Sequence, residues 1–274
     1  MAERAVFFLS DQTGVTAEAL GHSLITQFPG QDFRQVTLPF IDSEDKAREA
    51  VRTINAAAQR SSRKPVVFST LVQPDLREII KESEGIYLDM FDAFLGILSD
   101  ELDEAPTYTS GGAHGMSDID TYMRRIEATN FALANDDGGI SRDYEAADVI
   151  LVGVSRTGKT PTCLYLALQY GVYAANYPLT DEELENGALP EFLVKQKHKL
   201  FGLTIASQRL VQIRKERRPI GNYSSAQQVS FELREAEKIF RRYGIPYVDT
   251  TKFSIEEISS RILDSSGVER RVHV

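Results

Sequence analysis

The chain has 274 residues and a net charge of −9 at pH 7, and its hydrophobic share of 42% excludes a disordered or fibrous protein. An acidic chain is a poor candidate for binding nucleic acid, because such binding depends on many cationic contacts to phosphate. The chain shows no signal-peptide core and no apolar run near the ~20 residues of a membrane span, so we expect a cytoplasmic protein without a membrane partner. The single cysteine, Cys163, excludes an intramolecular disulfide.

Strands and helices alternate in the first part of the chain, which is the pattern of an open parallel sheet. The predicted strands are 5–9, 35–38 and 65–69, and the predicted helices are 14–28, 43–58 (with Ser43 as N-cap), 74–82 and 88–98.

Residues 100–115 are first acidic and then rich in glycine, which is typical of a linker or a loop. A helix is predicted from Ser117 to a stop at 135–139. Alternation then resumes with strands 148–152, 172–176, 199–205 and 245–248 and helices 160–170, 208–217, 224–243 and 254–263. The sequence therefore predicts an α/β protein with two parallel-sheet units: an N-terminal domain at 1–105, a linker and connecting helix at 106–145, and a P-loop kinase-like domain at 146–274.

One motif carries chemistry: G-x-x-x-x-G-K-[ST], the phosphate-binding P-loop. Its glycines let the backbone curl around phosphate oxygens, its lysine brings a charge to the terminal phosphates, and its last hydroxyl can bind Mg²⁺. An apolar run precedes the motif and a nearly all-apolar helix follows it, so the context favours a P-loop over an ordinary glycine-rich turn. The eight residues are Gly153, Val154, Ser155, Arg156, Thr157, Gly158, Lys159 and Thr160.

The acidic partner of this motif is less clear. Asp136 and Asp137 lie at a helix C-terminus, where the helix dipole disfavours negative charge, so they are candidates for a catalytic base or for holding Mg²⁺. A solvated turn explains the same spacing equally well. Asp249, after the last strand, is a weaker candidate, and an acidic cap or loop residue is the favoured reading.

Three further features could bind anions. The basic run of 209–218 is most simply a solvated helix face, although it could also grip phosphate or an acidic partner. His114 is more simply an exposed loop residue, and the turn at 10–14 is more simply a helix cap. The four histidines show no metal-ligand spacing.

The chain resembles the phosphoenolpyruvate synthase regulatory proteins, within the pyruvate, phosphate dikinase regulatory protein family of bifunctional kinase/pyrophosphorylases. The resemblance runs in order along nearly the whole chain, and it departs from the family pattern at Gln12, where Gly is expected. It is carried by Ser10–Asp11, Thr16–Glu18, Leu38–Phe40, Arg124–Ala128, Asp136–Gly138, Gly153–Thr162, Leu164–Ala167, Ala174–Pro178 and His198–Thr204.

The resemblance implies a serine/threonine kinase that uses ADP to phosphorylate a threonine of phosphoenolpyruvate synthase (pyruvate, water dikinase) and so inactivates it. It also implies a phosphorylase activity, in which inorganic phosphate removes that phosphate and pyrophosphate is released. ADP, inorganic phosphate and Mg²⁺ are thus the expected ligands, and a second copy of the chain is a further candidate partner. The P-loop motif makes Lys159 a candidate catalytic residue and Thr160 a candidate metal ligand, and the family likeness adds to the case for Asp136 and Asp137 as catalytic residues.

Three alternatives stay open. The target could be pyruvate, phosphate dikinase, since the residues do not separate the two. The loop alone fits an ATP-dependent kinase of small molecules equally well, because a P-loop holds either nucleotide. A nucleotide-binding regulatory module without chemistry is the third reading.

Overall fold

The computed structural model describes residues 3–110, 119–136, 143–217 and 221–272. The chain divides into two compact units, Met1–Gly115 and Met116–Val274. Each unit is built around its own four-stranded sheet in which every strand pairing is parallel. The predicted fold class, α/β with two parallel-sheet units, is confirmed.

The first unit has the strand order β2-β1-β3-β4. The first strand, β1, therefore lies inside the sheet, with β2 on one side of it and β3 and β4 on the other. Its elements are β1 (Arg4–Leu9), α1 (Val15–Ile25), β2 (Phe33–Leu38), α2 (Glu44–Arg60), β3 (Val66–Ser69), α3 (Pro74–Lys81), β4 (Ile86–Asp89) and α4 (Asp92–Leu102).

Alternation along β1 builds the core of this unit on both faces of the sheet. Phe7 belongs to the cluster that includes Ala47 and Ile54 of α2. Phe8 points the other way and packs with Ala17 of α1. The helices therefore cover both faces, as the apolar runs of parallel strands require.

The predicted helix at 88–98 is wrong at its start, because residues 86–89 form β4. Leu88 pairs in parallel with Phe68 of β3, a long-range contact that overrides local helix propensity. Asp89 then separates the strand from the helix, since its Oδ1 accepts hydrogen bonds from the backbone N–H of Phe91 at 3.1 Å and of Asp92 at 2.9 Å.

The second unit has the strand order β6-β5-β7-β8. Its elements are α5 (Ile119–Ala134), β5 (Val149–Gly153), α6 (Lys159–Tyr170), β6 (Ala174–Pro178), α7 (Asp181–Asn186), α8 (Glu191–Lys195), β7 (Leu200–Thr204), α9 (Ser207–Arg217), α10 (Ala226–Tyr243), β8 (Tyr247–Asp249) and α11 (Ile255–Ser266). The short helices α7 and α8 lie in a stretch for which no element is predicted.

Every residue of β5 is buried, and its side chains alternate between two hydrophobic clusters. Leu151 belongs to the cluster with Leu166 of α6 and Ile258 of α11. Val152 belongs to the cluster with Leu210 of α9 and Phe240 of α10. This double burial holds β5 rigidly in the middle of the sheet and fixes the point from which the next loop starts.

Candidate functional site

The glycine-rich loop joins the end of β5 to the start of α6. The loop emerges at the carboxyl edge of the sheet, at the point where the chain order reverses: the chain passes from β5 to β6 on one side and later continues in β7 on the other side of β5. Open α/β sheets bind their ligands at this position. The predicted strand and helix on either side of the motif are both present.

Backbone geometry explains two residues of the loop. A Cβ on Gly153 would come within 2.4 Å of the Leu203 carbonyl oxygen, so no side chain fits there. Gly158 has a φ of 95° and directly precedes α6, a conformation that glycine adopts without strain. Arg156 also has a positive φ, 76°, which costs a non-glycine residue about 1–3 kcal/mol. Strain of this kind is concentrated at functional sites.

Hydrogen-bond donors from neighbouring elements and from the loop itself hold three carbonyl groups of the loop. Nη2 of Arg214 donates to the Ser155 carbonyl at 3.1 Å, and Oγ1 of Thr250 donates to the Thr157 carbonyl at 3.2 Å. The Val154 carbonyl accepts from Oγ1 of Thr157 at 3.1 Å. Contacts within the protein thus hold the curve of the loop.

Lys159 begins α6 and is only 4% exposed. Its Nζ donates to the Val154 carbonyl at 2.8 Å, which folds the side chain back over the loop. Burying an ammonium group is costly unless polar partners surround it. This position keeps a cation beside the space that the loop encloses.

Thr160, Asp136 and Asn176 meet at the other side of the loop. Oγ1 of Thr160 donates to Oδ1 of Asp136 at 2.8 Å. Nδ2 of Asn176 donates to the same carboxylate oxygen at 2.6 Å and lies 3.1 Å from Oγ1 of Thr160. Of the two predicted aspartates, the structure brings Asp136 to the loop, while Asp137 lies outside the described residues.

A backbone contact places Asp136 there. The N–H of Asn176 in β6 donates to the carbonyl of Asn135 at 3.1 Å, which ties the end of α5 to the sheet next to β5. Sequence reasoning missed Asn176, although an asparagine inside a buried strand next to the motif is itself an unusual choice. Its Oδ1 is buried without a hydrogen-bond partner. A buried acceptor without a partner costs free energy, which indicates that the amide is kept for the contacts of its nitrogen.

The basic run on α9 separates into residues with different roles. Arg214 is fully buried, contrary to a solvated helix face, and makes a two-pronged ion pair with Glu232 at 2.6 and 3.1 Å. Its guanidinium also lies 4.3 Å from the ring centre of Tyr223, whose hydroxyl is 3.0 Å from Oγ of Ser155. Arg217 lines the same cavity as the loop, and Arg218 lies outside the described residues.

These groups surround a cavity of about 550 Å³, within the usual range for small-ligand sites. The cavity is lined by Asp136, Ser155, Arg156, Gly158, Lys159, Thr160, Pro161, Asn176 and Arg217.

Cys163 lies one turn further along α6 and is buried. Desolvation raises the pKa of its thiol, and the charge of Asp136 raises that pKa further. The thiol therefore stays protonated at neutral pH, which makes Cys163 a packing residue instead of a nucleophile.

The weaker candidates make local contacts. Oδ1 of Asp249 accepts from the backbone N–H of Thr251 at 2.8 Å, as a turn residue does. Oγ of Ser10 accepts from the backbone N–H of Gln12 at 3.1 Å, and Gly14, with a φ of 87°, is the N-cap residue directly before α1. His114 lies outside the described residues.

Within the described part of the chain, no three His, Cys, Asp or Glu side chains cluster as metal ligands. Thr160 and Asp136 are the described residues of the site whose oxygen atoms could hold a Mg²⁺ ion. No helix in the same residues is long and apolar enough to cross a membrane.

Comparisons with known proteins agree on one family. The family model described as Kinase/pyrophosphorylase matches residues 6–263. A Pseudomonas fluorescens protein is 53% identical over 269 residues, covering 98% of this chain and 99% of that protein. A Legionella pneumophila protein is 51% identical over 270 residues (98% and 100%), and one from Alkalilimnicola ehrlichii is 51% identical over 272 residues (99% and 99%). All three carry the name "Putative phosphoenolpyruvate synthase regulatory protein".

Proposed function

This chain belongs to the kinase/pyrophosphorylase family, and we propose that it reversibly phosphorylates a threonine of phosphoenolpyruvate synthase. In this proposal ADP donates the phosphoryl group that inactivates the synthase, and inorganic phosphate removes it and releases pyrophosphate. The names of the relatives support the synthase as the protein partner. The observation that carries the proposal is the gathering of Lys159, Thr160 and Asp136 around one cavity at a preformed glycine loop.

Both reactions are transfers of one phosphoryl group. In the kinase direction the threonine oxygen bonds to the β-phosphorus of ADP, the bond from that phosphorus to the bridging oxygen breaks, AMP leaves, and the hydroxyl proton passes to a base. In the other direction an oxygen of inorganic phosphate bonds to the phosphothreonine phosphorus. The bond to the threonine oxygen then breaks, that oxygen takes a proton, and pyrophosphate leaves.

The residues of the site divide this work. Lys159 is placed to neutralise charge on the phosphates, which is the main contribution of a protein to phosphoryl transfer. Thr160 and Asp136 offer the hard oxygen atoms that Mg²⁺ prefers, and they are the residues that would hold it. When bound, Mg²⁺ would supply further charge neutralisation on the phosphates. The buried contacts of Asn176 keep the Asp136 carboxylate turned toward Thr160.

The function is tested by incubating the protein with pyruvate, water dikinase and ADP labelled in its β-phosphate. Transfer of label to a threonine of the dikinase, followed by release of labelled pyrophosphate when inorganic phosphate is added, is the expected result. Transfer only to pyruvate, phosphate dikinase would correct the target. Turnover of a small molecule with ATP, or nucleotide binding without any transfer, would contradict the proposal.

Asp136 and Asp137 provide a separate prediction. We expect replacement of both by Asn to slow both reactions by at least about tenfold, or ~1.4 kcal/mol, because a carboxylate is lost as proton acceptor or metal ligand. The matched control is Asp143→Asn, since the Asp143 carboxylate accepts a hydrogen bond from the backbone N–H of Ala146 and does not line the cavity.

Initial rates of label transfer measure the effect. A double variant that stays within about threefold of the parent rate, a change of less than ~0.7 kcal/mol, would show that the pair is only a turn. The single variants assign the roles: a higher Mg²⁺ requirement identifies the metal-holding residue, and an altered pH–rate profile identifies the base.

A further inference from the structure

The side chains of two arginines line the cavity and, among the described residues, make no hydrogen bond that holds the loop. The side chain of Arg156 is exposed on the loop itself, and Arg217 is exposed at the end of α9. Among the described residues, neither guanidinium has a hydrogen-bond or ion-pair partner. The other arginines of α9 do have partners: Arg209 donates to Gln212 at 3.0 Å, and Arg214 pairs with Glu232.

The charge of the cavity is opposite to that of the chain. Among the described residues that line it, three side chains are cationic, those of Arg156, Lys159 and Arg217, and one is a carboxylate, that of Asp136, whereas the whole chain has a net charge of −9. The Asp136 carboxylate is already bonded to Thr160 and Asn176. Because like charges that face one cavity repel each other, this arrangement favours a ligand with several negative charges.

Arginine and lysine serve phosphate differently. A guanidinium binds two phosphate oxygens at once through its planar fork, whereas an ammonium group acts as a point charge. The glycine loop at 153–160, with Lys159, offers a place for one phosphate, which we call the loop cradle. Arg156 also keeps its strained φ of 76° at the mouth of that cradle, where its side chain extends into solvent.

We propose that Arg156 and Arg217 form a second phosphoryl subsite beside the loop cradle. Its ligand is the second phosphate of a diphosphate, which is the phosphoryl group that passes to or from the threonine. The inference rests on the proposed function, because a transfer between two phosphates needs two such places at once. Inorganic phosphate alone then occupies the cradle, while pyrophosphate spans both places.

The test compares inorganic phosphate with pyrophosphate by titration calorimetry on the full chain. We expect Arg217→Ala to weaken pyrophosphate binding by about tenfold, the loss of one charge-assisted hydrogen-bonded contact, and to leave phosphate binding within about twofold. Arg156→Gly gives the same pattern, and it is a safe variant for folding because glycine adopts a φ of 76° without strain. Arg217→Lys, which keeps the charge but loses the fork, falls between.

The matched control is Lys215→Ala, which removes the same charge from an exposed position of α9 that does not line the cavity. It should change neither affinity. Equal weakening of both ligands by Arg217→Ala, or no change in either, would overturn the subsite. If the parent protein binds neither ligand, both the subsite and the loop cradle are wrong. If Lys159→Ala weakens binding and the arginine variants do not, the cradle stands and the subsite is wrong.

Discussion

Replacing Lys159 with Ala is expected to lower the ADP-dependent phosphorylation of the dikinase by about a thousandfold or more, because a buried cation no longer neutralises charge on the phosphates of the donor. The fold should survive, since the loop carbonyls of Ser155 and Thr157 accept hydrogen bonds from Arg214 and Thr250 and not from Lys159. Transfer of labelled phosphate from ADP measures the change.

Lys215→Ala serves again as the control for loss of one charge, and the thermal unfolding midpoint of each variant checks the fold. Near-normal phosphorylation by a folded Lys159→Ala protein would end the assignment of the glycine loop as the phosphate site. Loss of activity together with a large drop in the unfolding midpoint would show instead that the buried lysine is structural.

Thr160→Ala is expected to weaken kinase and phosphorylase activity together. The substitution removes the hydroxyl that lies 2.8 Å from Asp136 and that would hold Mg²⁺, and it keeps the contact of Asn176 with that carboxylate. We expect a loss of about 10- to 100-fold in each direction and a higher Mg²⁺ concentration at half-maximal rate.

Thr160→Ser is the matched variant, because it keeps the hydroxyl and removes only a methyl group. It should retain most of both activities. A Thr160→Ala protein that loses the kinase yet keeps full phosphorylase activity would place the two reactions at separate sites.

The regular elements of the fold were predictable because their patterns are local. Buried strands such as β5 appear as short apolar runs, and α10, which follows the predicted start by two residues, has Ser225 as its N-cap and stops at Gly244. The strand β4 was not predictable from propensity, since its register with β3 depends on residues about twenty positions away. The helices α7 and α8 have only six and five residues, too few for a periodic pattern.

The residues of the candidate site also fall into those that a local pattern predicts and those that depend on long-range contacts. The motif at 153–160 could be found because its residues are adjacent in sequence, and Asp136 because its place at a helix end breaks a local rule. The contact of Asp136 with Thr160 spans 24 positions and depends on how α5 meets β6, which no local pattern states. Asn176 was missed for the same reason, as was the burial of Arg214, because its partner Glu232 lies on another helix.

We expect the one glycine loop to hold the phosphates of both reactions. Competition between ADP and inorganic phosphate tests this most directly. The measurement follows dephosphorylation of phosphorylated pyruvate, water dikinase while phosphate is varied at several fixed concentrations of ADP. We expect ADP to raise the apparent KM for phosphate and to leave the maximal rate unchanged, because ADP and phosphate cannot occupy the cradle together. Purely noncompetitive inhibition, with a lowered maximal rate and an unchanged KM, would contradict it.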